Sequence, residues 1–410
     1  MSAKFEAPRG THDVTPAEWP RWRHVLDTAE ELLRRYGYRR IQTPVFEDTE
    51  LFARTSGAGS DIVQKEMYTF ADRADRSLTL RPEGTAPLCR AYLEHGMHRE
   101  PQPVKLYTVA TMYRYAAPQR GRYREHWQLS VEAIGSADPA VDAEVIQLYD
   151  ELLRTLGVAD RVELERVLGD AACRPAYLEE LAAWLDEHDD LLDDEAREKR
   201  RTSPLRVFDV KSERVREALA DAPTIGESLC DDCRAHFDAV RAQLDAYGVR
   251  YELVPTLVRG LDYYTRTTWE FVGPDEAAQS TISGGGRYDG LIELIGGAPT
   301  PAIGFGAGIE RLLLALGDEE PEQAPPDVFL AVDDGAPRER VLAVLAELRR
   351  RGLACETDYA GRSLNGQLKH ASRLGVRTTV VAEADGATIR RRGEQDERVG
   401  YDDLLGRLAP

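Results

Sequence analysis

Two strand-like segments joined by a basic loop constrain the fold of this chain most strongly. Segment 104–114 reads VKLYTVATMYR, and segment 126–135 reads HWQLSVEAIG. In the second segment Gln128, Ser130 and Glu132 alternate with apolar residues, so they share one face of a strand. The connecting loop, YAAPQRGRYRE, carries three arginines. A polar sheet face beside such a loop suits a site for a phosphate-rich molecule, although an ordinary solvent-exposed antiparallel sheet shows the same alternation.

A second period-two segment lies at 257–271, LVRGLDYYTRTTWEF. Its second half alternates β-branched or aromatic residues with polar ones and therefore predicts a strand. Gly260 eases a bend before the strand. Arg259, followed by the pair Tyr263 and Tyr264, can hold an anion beside a polar ring. An edge strand with snorkelling side chains is the alternative interpretation.

Shorter motifs surround these segments. Residues 66–70 and 77–81 predict a hairpin, and LRPEGT at 80–85 leads into a helix. Thr85 is a candidate N-cap, and Glu83 would lie near the positive end of the helix dipole. Residues 41–46 predict a short strand in which Pro44 indicates an edge or interface position.

Two glycine-rich segments occur near residue 300. The first, SGGGRYDGL at 283–291, has three consecutive glycines that would let the backbone lie close to a ligand. The second, AIGFGAGIER at 302–311, predicts a strand followed by a helix that carries Arg311 in its first turns. It is not a dinucleotide-binding fingerprint, because the glycine spacing does not match.

Composition limits the class of protein. A chain of 410 residues with 42% hydrophobic and 30% charged residues predicts a soluble protein of two or more domains. No apolar run reaches eighteen residues, and the N-terminus has no apolar signal-peptide core, so we expect a cytoplasmic protein. The net charge is −19, yet the segment from Asp327 onward balances 14 basic with 14 acidic residues.

The predicted domains differ in character. Residues 1–325 would form one domain, interrupted by an acidic helical insertion near 160–250. Within it Cys230 and Cys233 form a CxxC pair without a second paired spacing, so we predict no dedicated metal site. Residues 326–410 alternate strands with helices, which predicts a small α/β domain.

Taken together, these motifs resemble those of the histidyl-tRNA synthetases, a family of class II aminoacyl-tRNA synthetases. Three class II signatures occur in order: the Pro44 strand, the Arg114 strand–loop–strand, and GFGAGIER. RGLDYYT at 259–265 and GGGRYDGL at 284–291 are similar to the two histidine-specific motifs of the family. The resemblance implies an α+β catalytic domain, built on an antiparallel sheet with flanking helices, and a C-terminal α/β anticodon-binding domain.

The resemblance also implies a reaction and its participants. ATP, accompanied by Mg²⁺, would activate L-histidine to histidyl-adenylate with release of pyrophosphate. Histidine would then pass to the 3′ end of tRNA(His), the enzyme being a homodimer. Arg114 and Arg259 would be catalytic at the α-phosphate, with Arg122 and Arg311 as further ATP contacts. The implied histidine site comprises Glu83, Gly84, Thr85, Arg114, Gln128, Glu132, Arg259, Tyr263, Tyr264 and Tyr288.

Two features separate this chain from the usual family pattern. The second signature normally has Glu and Arg after its Arg–aromatic pair, where Ala116 and Ala117 stand here. The aromatic residue that usually stacks on adenine in the family falls near the positions that His126 and Trp127 occupy in this chain. Activation is expected to survive, while reading of the tRNA acceptor end is expected to change.

Other protein classes explain less of the sequence. A non-catalytic regulatory subunit of ATP phosphoribosyltransferase resembles the catalytic domain, but is expected to lack the C-terminal domain and a complete RGLDYYT. A class II synthetase for another amino acid would lack Glu132 and the Tyr263–Tyr264 pair. A generic nucleotide-binding α/β protein explains only the glycine-rich segments. Four basic residues in the last domain are predicted RNA contacts, with ordinary solvated surface charge as the alternative: Arg362, Lys369, Arg373 and Arg377.

Overall fold

The computed structural model describes most of the chain. The described ranges are 5–56, 62–158, 163–169, 173–202, 204–210, 212–226, 228–254, 263–273, 281–317 and 325–408. The chain divides into two compact units, Met1–Glu320 and Pro321–Pro410. Among the described residues, no helix combines the length and the apolar character needed to cross a bilayer.

An eight-stranded sheet organises the first unit. Its strands are β1 (Arg39–Arg40), β5 (Val104–Tyr113), β6 (Glu125–Ile134), β7 (Glu163–Gly169), β8 (Glu252–Leu253), β9 (Thr265–Val272), β10 (Thr281–Arg287) and β11 (Ala302–Gly308). Their order is β1-β5-β6-β11-β10-β9-β7-β8. The six inner strands pair antiparallel, and the two short outer strands pair parallel to their neighbours.

A three-stranded antiparallel sheet, ten α-helices and several short 3₁₀ or π-helical segments complete what is described of this unit. The small sheet has the order β2 (Phe46–Asp48), β4 (Ser77–Leu80), β3 (Tyr68–Ala71). The α-helices are α1 (Trp19–Arg35), α2 (Thr49–Thr55), α3 (Thr85–Glu94), α4 (Pro139–Thr155), α5 (Arg174–Glu187), α6 (Asp194–Thr202), α7 (Glu213–Ala218), α8 (Asp231–Tyr247), α9 (Leu291–Leu294) and α10 (Ile309–Leu316). The predicted antiparallel sheet with flanking helices is therefore confirmed.

The two faces of the large sheet have different roles. Apolar side chains of β6, β9 and β11 point toward helices α1 and α4 and form the main core. At its centre the ring of Tyr149 lies 4.7 Å from that of Phe271 and 5.0 Å from that of Phe305. On the opposite face Ser130 and Glu132 are both 0% exposed. The alternation predicted for β6 is confirmed, and the alternative of a solvent-exposed polar face is wrong.

The segment containing Pro44 differs from the prediction of one strand over 41–46. Strands β1 and β2 lie on either side of it, because proline has no N–H to donate to a ladder. Its carbonyl groups are satisfied by a side chain instead. Buried Arg81 donates to the backbone oxygens of Thr43, at 2.9 Å, and Pro44, at 3.2 Å.

Strand β9 contains an irregularity that the period-two pattern does not predict. Gly286 pairs with Thr268, while the next residue, Arg287, pairs with Thr265. Two residues are therefore bulged out, and Arg266 adopts a φ of 54°, which is unusual for a residue with a side chain. The bulge breaks the alternation between Tyr264 and Thr268.

The C-terminal unit has a five-stranded sheet covered by three helices. The strand order is β13 (Cys355–Thr357), β12 (Val328–Val332), β14 (Thr378–Ala382), β15 (Ala387–Arg391), β16 (Glu397–Val399), and the helices are α11 (Arg338–Arg350), α12 (Leu364–Arg373) and α13 (Tyr401–Leu408). The first three strands are parallel and the last two antiparallel. The α/β class is confirmed; the elements after residue 385 were not predicted from the sequence.

Candidate active site

A cavity of about 510 Å³ lies on the polar face of the large sheet. Its walls come from the start of α3, the loop after β5, strands β6, β9, β10 and β11, and the start of α10. The predicted residues that line it are Glu83, Thr85, Arg114, Arg122, Gln128, Tyr263, Tyr264 and Arg311. Segments far apart in sequence thus bring most of the predicted site residues into one cavity.

Three arginines give this cavity its positive charge, and backbone oxygens hold two of them. Nε of Arg114 donates to the carbonyl of Pro82 at 2.7 Å, and Nε of Arg311 donates to that of Gly121 at 3.1 Å. Arg122 pairs with the carboxylate of Glu66 at 2.8 Å. Within the described ranges, neither Arg114 nor Arg311 forms an ion pair. Burial lowers the pKa of both guanidinium groups from their usual value. An anionic ligand would therefore offset the free-energy cost of burying these two positive charges.

The start of helix α3 is capped differently from the prediction. Both oxygens of the Glu83 carboxylate accept backbone N–H groups, from Thr85 at 2.7 Å and from Ala86 at 2.9 Å. Glu83 therefore caps the helix, and the prediction that Thr85 is the N-cap is wrong. The Thr85 hydroxyl instead donates to Glu132 at 2.8 Å. Burial raises the pKa of Glu83, partly offset by its hydrogen bonds with the backbone N–H groups of Ala86 and Thr85.

Glu132 is the central buried acid of the site. One of its oxygens accepts the Thr85 hydroxyl, and the other accepts the Tyr288 hydroxyl. Burial raises its pKa to about 8. Glu132 and Tyr288 lie behind the cavity wall, whereas Thr85 lines the cavity. A carboxyl group with this pKa can change its protonation state, and hence donate or accept a hydrogen bond, near neutral pH.

Two glycines create the space for this arrangement. A Cβ on Gly304 would lie 1.7 Å from Oε2 of Glu132, and a Cβ on Gly84 would lie 2.3 Å from Oγ of Ser130. Both distances are far shorter than van der Waals contact. Glycine is therefore required where β11 and the start of α3 meet the polar side chains of β6.

Three tyrosines surround Glu132: Tyr263 and Tyr264 line the cavity, and Tyr288 lies behind its wall. The Tyr263 ring lies 4.8 Å from the ring of Tyr264 and 5.7 Å from that of Tyr288. Tyr264 is also held through its backbone, because Arg174 at the start of α5 donates to its carbonyl at 2.8 Å. The amide of Gln128 donates to Ser130 at 2.9 Å and faces the same cavity.

A buried ionic cluster beneath the site was not predicted from the sequence. Arg287, 0% exposed, pairs with Asp142, and the same carboxylate accepts the Thr267 hydroxyl at 2.7 Å and contacts Nε2 of His236 at 2.9 Å. The hydrogen bonds from His236 and Arg287 and the charge of Arg287 outweigh burial, so the pKa of Asp142 is lowered. The position of Arg287 directly after three glycines was the only available signal.

Three further lining residues have chemistry that the sequence prediction did not assign in full. His126 lines the cavity near the position expected for an adenine-stacking residue, and burial lowers its pKa to about 3, so its ring is neutral. Glu310 accepts the backbone N–H of Trp127 at 2.9 Å, and burial raises its pKa to about 7. Glu270 accepts the hydroxyl of Thr281 at 2.7 Å. The available signal for Glu270 was its place in the alternating pattern of β9, and for Glu310 it was its position next to Arg311.

The remaining predictions concern residues outside the described ranges and the three consecutive glycines at 284–286. Arg259, the second predicted catalytic arginine, lies outside the described residues, as do Gly260 and the linker over 318–324. Gly284 lines the cavity. A Cβ on Gly285 would instead meet Trp269 at 2.5 Å, and one on Gly286 would meet Tyr264 at 2.5 Å. Two of the three consecutive glycines thus serve internal packing.

Comparison with known proteins agrees with this geometry. The family model described as histidyl-tRNA synthetase matches residues 10–312. The histidine–tRNA ligase of Moorella thermoacetica is 48% identical over 377 residues, which are 91% of this chain and 89% of that protein. That of Acetivibrio thermocellus is 42% identical over 98% of this chain and 99% of its own length.

Solved structures show the same relationship. The apo histidyl-tRNA synthetase of Staphylococcus aureus matches with a TM-score of 0.81 at 36% identity, over 99% of this chain and 100% of that one. A Bacillus halodurans protein, described as an ATP phosphoribosyltransferase regulatory subunit/histidyl-tRNA synthetase, matches with a TM-score of 0.67 at 24% identity, over 93% of this chain and 99% of that one. At that identity the second match shows the fold alone. The chain belongs to the histidyl-tRNA synthetase family.

Proposed function

We propose that this chain is a histidine–tRNA ligase that works in two steps at the cavity described above. In the first step a carboxylate oxygen of histidine attacks the α-phosphorus of ATP, and the bond to pyrophosphate breaks. In the second step a ribose hydroxyl at the 3′ end of tRNA(His) attacks the histidyl carbonyl, and AMP leaves. The observation that carries this proposal is one cavity with three arginines and an acid–tyrosine pocket.

The arginines supply the charge that the first step needs. Arg114, fixed by the Pro82 carbonyl, would contact the α-phosphate and the histidine carboxylate. Arg122 and Arg311 would hold the remaining phosphates and the nucleotide. Fixed cations stabilise charge that develops during phosphoryl-type transfer without having to reorganise. Arg259 would act on the other side of the reacting phosphate.

The opposite end of the cavity would select histidine. Glu83, Thr85 and Gln128 would bind its ammonium group, and the backbone of Gly84 would lie beside it. Glu132, through Thr85 and Tyr288, and the hydroxyl of Tyr264 would pair with the two imidazole nitrogens. Since imidazole has one donor and one acceptor, a site that pairs both discriminates strongly against apolar analogues.

Mg²⁺ would enter with ATP rather than occupy a dedicated protein site. The carboxylates that line the cavity include Glu270 and Glu310. Within the described residues, Oε2 of Glu310 is buried without a hydrogen-bond donor. Oxygen ligands of this type suit Mg²⁺, which would neutralise phosphate charge when bound. These two residues therefore fit the ion.

The C-terminal unit would bind the anticodon of tRNA. Arg362, Lys369, Arg373 and Arg377, on and around α12, are all exposed. Arg362 pairs with Asp358. The other three have no ion-pair partner in the described part of the unit, so they are available to phosphates. The protein would act in the cytoplasm as a homodimer.

The test is histidine-dependent exchange of labelled pyrophosphate into ATP, without tRNA. We expect exchange with histidine and with no other amino acid. Arg259→His should abolish exchange and leave histidine binding, measured by calorimetry, intact. Histidine binding without any exchange in the unmodified protein would contradict the ligase and favour the regulatory-subunit alternative.

A tRNA-binding assay at several salt concentrations tests the C-terminal assignment separately. The double variant Lys369→Ala/Arg373→Ala should weaken tRNA binding. The slope of log affinity against log salt concentration should fall by the equivalent of about two phosphate contacts. Pyrophosphate exchange should be unchanged. Equal tRNA affinity for the double variant and the unmodified protein would show that α12 does not contact RNA.

A further inference from the structure

Three cysteines from two distant segments meet in the first unit. The sulfur atoms of Cys173, Cys230 and Cys233 all lie within 4.8 Å of one another. Cys173 and Cys233 are each 4% exposed, while Cys230 is partly exposed. The sequence places Cys173 more than fifty residues before the CxxC pair, so spacing alone does not reveal the group.

Two helices begin at the cluster. Cys173 is the N-cap of α5, a helix of 14 residues, and Cys230 is the N-cap of α8, a helix of 17 residues. Cys233 lies in the first turn of α8. Two helix N-termini therefore meet at the three sulfurs, and the positive end of a helix dipole favours negative charge beside it.

A hydrogen bond and an apolar shell complete the arrangement. The backbone N–H of Cys230 lies 3.1 Å from Sγ of Cys173, and N–H groups directed at sulfur tune metal–thiolate sites. Leu229 and Phe237 pack around the cysteines. Such a shell lowers the dielectric constant around a bound ion.

We propose that Cys173, Cys230 and Cys233 bind one Zn²⁺ ion, an alternative to the sequence prediction of no dedicated metal site. In a tetrahedral zinc site with Zn–S bonds of about 2.3 Å, sulfur atoms are about 3.8 Å apart. The cluster is within about 1 Å of that spacing. Three soft sulfur ligands select zinc over magnesium or calcium. The thiols lose their protons to solvent on binding, and water fills the fourth position.

The site would fasten the helical segment to the sheet. Arg174, directly after Cys173, donates to the backbone oxygen of Tyr264 in the cavity wall. Helix α8 carries His236, which contacts Asp142 beneath the same wall. An ion that joins the starts of α5 and α8 therefore fixes two supports of the pocket at once. Its role is structural, because none of the three sulfurs faces the cavity.

The experiment measures metal directly in the full chain, purified with reductant. Elemental analysis should find about one zinc ion per chain. Cys173→Ser, Cys230→Ser and Cys233→Ser should each lower zinc affinity at least tenfold. Cys355→Ser is the matched control, because Cys355 is also a buried cysteine but lies in the C-terminal unit, and it should keep full zinc content.

Cobalt provides a second readout, and in the unmodified protein this readout does not depend on the folding of any variant. Chelated protein reloaded with Co²⁺ should show sulfur-to-cobalt charge-transfer absorption and intense tetrahedral visible bands. Each ligand variant that folds should lose about one third of the charge-transfer intensity. Absence of zinc and of the cobalt spectrum in protein with fully reduced thiols would overturn the proposal. An unchanged cobalt spectrum in Cys173→Ser would do the same.

Discussion

The two ends of the cavity are built in contrasting ways. At the arginine end, Arg114 and Arg311 are held by backbone oxygens, and their charge remains available to a ligand. At the acid–tyrosine end, Glu132 is held by the side chains of Thr85 and Tyr288, and its charge is suppressed by burial. The first arrangement suits a ligand with fixed negative charge, and the second suits a ligand recognised by hydrogen bonds.

The largest expected effect separates the two ends by function. Arg114→Ala should reduce pyrophosphate exchange about 1,000-fold, because fixed charge at the reacting phosphate is lost. Histidine affinity should fall much less, about 10-fold, because only the contact of Arg114 with the histidine carboxylate is lost and the acid–tyrosine end is intact. Exchange kinetics and calorimetry measure the two quantities. The control is Arg23→Ala, an exposed arginine on α1. A similar loss in both quantities would show that the ends do not act separately.

The second prediction tests the suppressed charge of Glu132. Because burial raises its folded-state pKa from 4.5 to about 8, the folded protein binds a proton that the unfolded chain has released. Stability from this group is complete below pH 4.5 and is lost as pH rises toward 8. Between pH 5.5 and 8 the unmodified protein should lose about 3 kcal/mol of unfolding free energy relative to Glu132→Gln.

Chemical denaturation at several pH values measures this difference, since all other groups are common to the two proteins. The unfolding free energy of the unmodified protein should fall relative to that of Glu132→Gln as pH rises. Parallel curves over this range would mean that Glu132 titrates normally and that its burial is relieved by solvent.

The third prediction uses two glycines of the same strand. In Gly304→Ala the new methyl group would collide with Glu132, whereas in Gly308→Ala the nearest atom lies 3.8 Å away, on Arg311. Gly304→Ala should therefore weaken histidine binding about 100-fold by displacing the acid, a loss of about 2.7 kcal/mol. Gly308→Ala should bind histidine normally. Equal affinities in calorimetry would contradict the close packing of β11 against Glu132.

The smallest expected effect concerns the neutral ring at the arginine end. His126→Ala should raise the KM for ATP about 3- to 10-fold if the ring stacks on adenine, because aromatic pairs contribute about 0.5–1.5 kcal/mol. His126→Phe should restore it. Since the pKa of His126 is lowered to about 3, the KM ratio between the unmodified protein and His126→Phe should not change between pH 5 and 8. A pH-dependent ratio would mean that the ring becomes charged.

The sequence predicted well those features that follow from local periodicity. The two-faced strand β6 and the hairpin of β3 and β4 rest on alternation within one segment, and both are present. The strand over 41–46 was wrong, because the side chain of Arg81, far along the chain, provides the hydrogen bonds that a ladder would have provided. Local patterns contain no information about such distant partners.

The site shows the same limit. Residues in recognisable motifs, such as Glu83 and Arg311, line the predicted cavity. Glu83 also caps α3, a role that the sequence pattern assigned to Thr85. The Thr85 hydroxyl is bonded to Glu132 instead, a distant partner that the local pattern does not reveal. The group of Cys173 with Cys230 and Cys233 depends on how α5 and α8 pack, so no spacing rule could have identified it.

The carboxylate of Asp142 has an evolutionary consequence. It contacts Arg287, Thr267 and His236, which lie 145, 125 and 94 residues away along the chain. A substitution at any one of these positions leaves a buried polar group or charge without its partner, which is costly. These four positions should therefore change together among relatives or not at all. A lineage that loses one of them should show compensating changes at the others.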